Sequence, residues 1–440
     1  MQIAFLGINY WPDETGIAPF TTGKCEYLAS QGHDVTVFTG LPYYPAWRVP
    51  TRYRGRPFIR EHRHNVTILR SWIYVPRRLN ALRRVLHEAS FVTSALMRSV
   101  GRGGKNRPQA LITVTPPLAL GLAAIFLSRI WKVPFVQHVP DLQPDAAVDL
   151  GMLRPGPFTK CLYRMEHLSY RNAAMISTLT ESMRGRIVGK GINKDKVVTS
   201  PDWARPDLFA VPIEDNGLEF RKRYGLKDEF LVVHSGNMGV KQGLEVVISA
   251  AQRSRGDQSL KYLLVGDGAT REKLQKQAGE MQLGNLQFLP ILPDEQFIEL
   301  LAACDVCLVT QQANVADIVF PSKVITLMAA GRAIVASVSG SSDVARLLKK
   351  ASAGLVVPAE DSASLAQAIA ALRADHPRRR EMAHNARQFA RQNWNREMIL
   401  TKLESELRAL VDARAPKDPR SRCDCNFRKP STSRSEHFVD

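Results

Sequence analysis

Short apolar runs alternate with helical patterns along almost the whole chain, and few architectures accommodate that rhythm. Residues 2–7 form an apolar run ending in Gly7, as a buried first strand does. A loop over 8–19 follows, then a helical pattern through Phe20, Cys25, Leu28 and Ala29 that Gly32 stops, then a second strand over 35–39. Strand, loop, helix, strand is the unit of a parallel sheet. It recurs with strands at 110–114, 134–138 and 175–179 and helices at 118–130, 158–171 and 180–189, the last with Thr180 as cap. A second series begins near Phe230, with strands at 230–234, 260–265, 286–289, 306–310 and 333–337 and helices at 244–253, 270–280, 294–303 and 322–330. The expected fold is α/β, with two Rossmann-like domains facing across a cleft. At 440 residues the chain exceeds what one core usually covers.

Residues 200–207, rich in Pro and Asp, separate the two series and read as a hinge. The expected division is 1–205 for the first domain and 206–385 for the second. Residues 386–412 read as a C-terminal helix crossing back to the first domain, and 413–440, mostly Arg, Ser and Pro, as a disordered tail.

The formal net charge of +18 favours anionic partners. Basic residues crowd 48–107, where only Glu61 and Glu88 oppose them. Within 76–100, Arg77, Arg78, Arg83 and Arg84 lie beside Leu79, Leu82, Val85, Leu86 and Phe91. The segment reads as an amphipathic helix on an anionic membrane surface, or as a core-packed helix with a solvated basic face. Residues 118–130, interrupted by Ser128 and Arg129, fall short of the ~20 apolar residues a spanning helix needs. The start of the chain lacks the features of a secretory signal. A cytoplasmic protein, peripheral at the inner face of the plasma membrane, is expected. Aromatic residues lie among the basic ones, but no RNA-recognition motif accompanies them, and no nucleic-acid partner is expected.

Cys304 and Cys307 have a redox-like spacing inside the apolar run 300–309, where small buried residues at a helix-to-strand junction are expected. Cys423 and Cys425 have no third ligand nearby. The Walker pattern, the Gly-x-Ser-x-Gly elbow and the dinucleotide fingerprint after the first strand are missing from the sequence, as is any Asp-x-Asp pair. No cofactor and no metal are expected.

Ligands of open α/β sheets bind beyond the carboxyl ends of the strands, and five loops there carry candidate residues. The first holds Asp13, Glu14 and Gly16 ahead of a helix, where an ordinary turn would also serve. The second places His138 at the end of a buried strand, three residues before Asp141; a polar ring there must find partners or face a cleft. In the third, Gly236, Asn237, Gly239, Lys241, Gln242 and Gly243 have the composition of a phosphate nest. The fourth, Gly266-Asp267-Gly268, suits turn chemistry and binding equally. In the fifth, Pro321 and Ser322 open a helix and Lys323 adds charge; a plain helix start would look the same.

In this order, over about residues 1–410, these loops resemble glycosyltransferase family 4, retaining enzymes of the GT-B fold. Residues 32–39 are similar to its strand-two signature, and 331–337 with 354–358 to its C-terminal core. Residues 41–45 and the nest 236–239 resemble a subgroup of colanic acid and O-antigen transferases. The resemblance implies a nucleotide-sugar donor, a UDP or GDP sugar, and a lipid-linked or saccharide acceptor. By it His138 contacts the donor sugar and phosphate, and the first loop lies between donor phosphate and acceptor. The nest and residues 321–323 match the diphosphate and ribose sites. The family's nest Arg and Lys fall on Asn237 and Gln242, its paired glutamates on Ile318 and Thr326, and a phosphate-facing glycine on Pro321. Lys241 and Lys323 are then expected to supply the missing positive charges and, with His138, to be the catalytic residues. Gly16, Gly236, Asn237, Gly239, Gln242, Gly266, Asp267, Ser322 and Thr326 are expected to bind donor; Asp13, Glu14 and Asp141 are expected to hold acceptor. A GT-B sugar-nucleotide epimerase and a membrane-associated partner protein with impaired catalysis remain as alternatives.

Overall fold

The structure is a computed structural model describing residues 1–78, 80–100, 107–149, 153–214, 217–313 and 322–414. Cys423 and Cys425, and the expected tail from residue 415 on, lie outside the described residues, as do Leu79, Ile318 and Pro321.

The first half runs β1 (Gln2–Gly7), α1 (Ala18–Ser30), β2 (Asp34–Gly40), β3 (Phe58–Arg63), β4 (Val66–Ser71), α2 (Ala81–Val100), β5 (Ala110–Val114) and α3 (Ala119–Trp131). It continues with β6 (Phe135–Val139), α4 (Gln143–Asp149), α5 (Pro157–Asn172), β7 (Met175–Thr178), α6 (Glu181–Gly189) and β8 (Val197–Thr199). These strands form one sheet in the order β3-β4-β2-β1-β5-β6-β7-β8. Only the β3–β4 pairing is antiparallel.

The second half runs α7 (Leu218–Arg223), β9 (Phe230–Ser235), α8 (Glu245–Arg253), β10 (Leu260–Val265), α9 (Arg271–Glu280), β11 (Leu286–Leu289), α10 (Asp294–Ala303) and β12 (Val306–Thr310). Then come α11 (Lys323–Ala329), β13 (Ile334–Ser337), α12 (Asp343–Ala351), β14 (Gly354–Val357), α13 (Ser362–Ala374), α14 (His376–Asn393) and α15 (Arg396–Asp412). Its sheet has the order β11-β10-β9-β12-β13-β14, all parallel. Strands β5, β6, β9 and β12 are buried along their whole length. Helices cover both faces of each sheet, which is why these strands read as unbroken apolar runs rather than alternating ones. Strand order reverses between β1 and β5 and again between β9 and β12. A reversal opens a crevice at the carboxyl ends of the flanking strands.

Several expectations need correction. The hairpin β3–β4, helix α4 and strand β8 were not foreseen. β3 reads FIREHR, a half-exposed edge strand whose charged residues hide its period. The helix read over 76–100 starts only at Ala81. Phe91, placed on its lipid face, is fully buried in the core. Residues 386–412 are not one helix: α14 ends at Asn393 and α15 begins at Arg396, with the Asn395 side chain accepting from the Met398 N–H as a new cap.

Helix α15 packs on the first domain. Leu403 and Leu407 join Leu28, Val35 and Ile68 in one core cluster, worth about 2 kcal/mol for each buried leucine. His33 Nε2 meets Glu404 Oε1 at 2.9 Å, and the Tyr27 and Thr401 hydroxyls lie 3.0 Å apart. In the linker, Trp203 packs edge-on against Phe20 and lies with Ile399 and Leu400.

The domains also bond directly. Thr180 Oγ1 accepts from the Met183 N–H as the α6 cap and donates to Asp343 Oδ2 at 2.6 Å. Ser182 Oγ donates to Asp343 Oδ1 at 2.6 Å, and Arg346 Nη2 donates to both Ser182 and Asp343.

Candidate functional site

On the second domain the loops after β9 and β10 are stacked on each other. The Met238 N–H donates to the Asp267 carbonyl at 2.8 Å, and the Thr270 N–H and hydroxyl both donate to the Met238 carbonyl at 2.9 and 2.7 Å. Gly266 makes this possible. Its φ is +135°, and a Cβ there would lie 2.0 Å from the Gly236 carbonyl oxygen. Gly268, at φ +155°, would put a Cβ 2.5 Å from both Asn237 Oδ1 and the Met238 carbonyl. The glycines of the fourth loop therefore serve the close approach of two turns, a demand that a single-loop reading does not reveal.

Within the nest, Gly236 and Asn237 are exposed and Met238 is buried. Gln242 Oε1 accepts from the Gly239 N–H at 3.1 Å, so this side chain holds the loop in shape. The Lys241 carbonyl accepts from the Gln312 N–H at 2.9 Å, tying the β9 loop to the end of β12 across the second reversal point. Asp267 and Ser322 are exposed, and Thr326 is half-buried on α11. Asp267 Oδ1 accepts from the Gly268 N–H at 2.8 Å. Ser322 precedes α11 without a side-chain capping bond. Lys323 directs its ammonium toward the buried His234 Nδ1, at 3.4 Å. Burial lowers its pKa to about 8. Burial, and then the Lys323 charge, hold His234 well below the ordinary imidazole value.

On the first domain, His138 is 6% exposed at the end of β6. Its Nδ1 lies 2.8 Å from Ser177 Oγ on β7, and its Nε2 lies 3.0 Å from Lys24 Nζ on α1. Burial, and then the Lys24 charge, lower the His138 pKa strongly. Lys24 is itself lowered by burial, opposed by the nearby Asp202 carboxylate. Asp202 is raised by burial to about 6, with Lys24 opposing the shift. Asp13 is buried, accepts from Asn9 Nδ2 at 3.1 Å, and is raised by desolvation. Glu14 and Gly16 are exposed. Asp141 is raised by burial, and the opposing charges are those of Lys241 and Arg84. The Lys241 influence spans the cleft, since the two residues belong to opposite domains.

The fold therefore brings the nest, the Gly266 turn and Lys323 to one crevice. It brings the Lys241 charge within influence of Asp141 on the opposite domain, and turns the polar atoms of His138 inward. Sequence reasoning missed Lys24, Ser177, His234 and Asp202. It also missed Arg70, fully buried on β4, whose Nη2 donates to the Trp11 carbonyl and whose Nε donates to Glu61, both at 2.5 Å, clamping the first loop. One signal was present: Lys24 falls in register with the buried Thr21, Cys25 and Leu28 of α1.

A cavity of about 320 Å³ lies between the domains, lined by Leu179, Asp202, Ser322, Ile325 and Trp394 among others. A larger one, about 460 Å³, opens at the amino ends of the second sheet, beside Cys304, Arg221, Arg332 and Arg379. Those arginines donate to backbone carbonyls of Lys227, Ala330 and Leu372, so the cavity is braced structure remote from the cleft. Cys304 and Cys307 are buried, with sulfurs 3.2 Å apart. Among the described residues no group of three or more His, Cys, Asp or Glu side chains gathers as a metal site requires. No described helix is long and apolar enough to cross a membrane.

Comparison with known proteins adds the remaining findings. The family described as "Glycosyl transferase 4-like domain" matches residues 15–203, and that described as "Glycosyl transferases group 1" matches residues 218–389. The chain is 33% identical over 335 residues to a protein named for colanic acid biosynthesis, the glycosyl transferase WcaI of Escherichia coli K12, covering 75% of this chain and 82% of that one. It is 27% identical over 282 residues to the glycosyltransferase WbjE of Pseudomonas aeruginosa, covering 64% and 69%. The crystal structure of Anabaena Alr3699/HepE in complex with UDP superposes with a TM-score of 0.70 at 16% identity, covering 93% of this chain and 100% of that one.

Proposed function

Because this chain is a GT-B glycosyltransferase and belongs to the group 1 family, with a 4-like amino-terminal domain, we propose that it moves a sugar from a UDP- or GDP-sugar to a lipid-linked saccharide, with retention, in the assembly of an extracellular polysaccharide or O-antigen. The observation that carries this reading is that both sheets turn a strand-end crevice toward one interdomain cleft, lined by Asp202 of the linker and Ser322 of the second domain and bridged by Asp343, which accepts from Thr180 and Ser182. The name of the Escherichia coli relative and the UDP in the Anabaena complex support the same reading.

The reaction breaks the bond between the anomeric carbon and phosphate, so negative charge builds on the departing diphosphate. The N–H groups of Gly236, Met238 and Gly239 are taken within the fold, so in this reading the Asn237 N–H, with Lys241 and Lys323, stabilises that charge in a closing cleft. Asp13, Glu14 and Asp141 are the acceptor-side candidates. Raised carboxyls such as Asp13 and Asp141 suit hydrogen bonds to sugar hydroxyls. A front-face route, in which the leaving phosphate takes the acceptor proton, requires no covalent nucleophile.

Helix α2 supports a membrane-borne acceptor. Leu82, Val85 and Leu86 are 69%, 52% and 50% exposed on its first turns, beside the exposed Arg77, Arg78, Arg83 and Arg84. Apolar side chains among arginines suit the interface of an anionic bilayer, which supports a peripheral position at the inner face of the plasma membrane. The test is a screen of UDP-, GDP- and dTDP-sugars with and without a membrane lipid extract. Nucleotide release that depends on one donor and rises with lipid is expected. Failure to bind or turn over any nucleotide overturns the reading.

A further inference from the structure

We propose that Lys24 is the positioning residue for His138, fixing it as a neutral ring that carries its proton on Nδ1. The proposal rests on the donor-site reading above only for its catalytic consequence. Its geometric basis is independent. An ammonium has hydrogens to give and no lone pair, so at 3.0 Å from Lys24 Nζ the His138 Nε2 must be the acceptor. The ring proton then sits on Nδ1 and is donated to Ser177 Oγ, at 2.8 Å. Burial works against the Lys24 charge, and the Asp202 carboxylate of the linker opposes that loss. The remaining titratable group beside Lys24 is its neighbour Cys25, a buried thiol. No carboxylate bonds to the imidazole, so nothing in this surrounding favours an imidazolium.

The arrangement defines what His138 does. Both ring nitrogens are engaged inside the domain, and its backbone carbonyl is taken by the Thr115 N–H and hydroxyl at 3.0 and 3.2 Å. The ring has no lone pair left to accept the acceptor's proton and no N–H left to give. It presents a fixed neutral edge to the cleft, and the proton released in transfer goes to the departing phosphate.

The test is nitrogen-15 histidine NMR on the full chain, with the His138 signals identified by their loss in His138→Gln. The wild-type ring is expected as the Nδ1–H tautomer, unchanged between about pH 5.5 and 8.5. In Lys24→Met the Nε2–H form should appear, while burial, the larger cause of its low basicity, keeps the ring neutral. Donor kcat should fall about 10–100-fold with KM held within about threefold, and Lys24→Arg should restore the tautomer. Ser177→Ala keeps the ammonium and serves if Lys24→Met does not fold; it should leave the proton on Nδ1. A wild-type Nε2–H ring, a tautomer unmoved by Lys24→Met, or a switch in Ser177→Ala each overturns the proposal. The NMR readout needs no substrate, so a failed donor screen with the expected tautomer removes the function and leaves Lys24 in place.

Discussion

A lysine buried against a histidine loses basicity, and at Lys323 that loss has an observable consequence. Its pKa of about 8 lies below the ordinary 10.5 because burial disfavours the ammonium. The unfolded chain therefore binds more protons between about pH 8 and 10.5. This residue's contribution to stability is complete above that window and is lost as pH falls through it. A bound diphosphate has the opposite preference, since it favours the charged form. Donor KM should be flat from about pH 6.5 to 7.5 and rise above about pH 8, by at most about tenfold per unit. Lys323→Arg, which stays charged, should remove the rise in a steady-state pH series. At this scale the sequence was half legible. Glycine and lysine marked the strand-end loop after β9, but its Met238 and Gly239 N–H groups bond to the Asp267 carbonyl and to Gln242, a fold-back that spacing alone does not encode. Lys24 was legible in principle, because its register with Cys25 and Leu28 puts a cation on a buried face.

Two elements carry their own predictions. The stacked turns after β9 and β10 touch through Gly266, so Gly266→Ala forces both a clash with the Gly236 carbonyl and a strained φ. It should lower unfolding free energy by about 3 kcal/mol or more, read as a shifted urea midpoint, and weaken nucleotide binding with it. Helix α2 should take the protein to anionic vesicles: reversing Arg77, Arg78, Arg83 and Arg84 to Glu is expected to abolish flotation on phosphatidylglycerol liposomes and leave the circular dichroism unchanged. Flotation that survives the reversal removes the membrane role. β9 was readable because burial on both faces leaves little choice of residue, and α8 because its buried residues recur at helical spacing. β3 was not, because an edge strand of FIREHR is defined by its partner β4 and not by its own pattern. The break between α14 and α15 was announced only by Asn395, a cap residue inside an otherwise helical stretch.

The whole molecule is two sheet domains facing across a cleft, and among the described residues a small polar cluster joins them directly. Asp343 accepts from Thr180 and Ser182 of the opposite domain, with Arg346 bracing the cluster. Asp343→Ala should broaden the interdomain distance distribution in pulsed electron resonance between spin labels on α6 and α13, and lower kcat/KM by about tenfold. An unchanged distribution would mean that the linker and α15 alone set the orientation. That helix has a further consequence, for how the protein is made. Leu403 and Leu407 complete a cluster begun by Leu28 and Val35, and Thr401 meets Tyr27 across 374 positions of chain. A ribosome delivering this polypeptide therefore extrudes the whole first domain with one seam unsealed, and must synthesise the entire second domain before the strip that closes it emerges. Through that interval the nascent chain leaves bare the apolar residues that α15 covers, Leu28 among them, and the first domain expressed alone should aggregate.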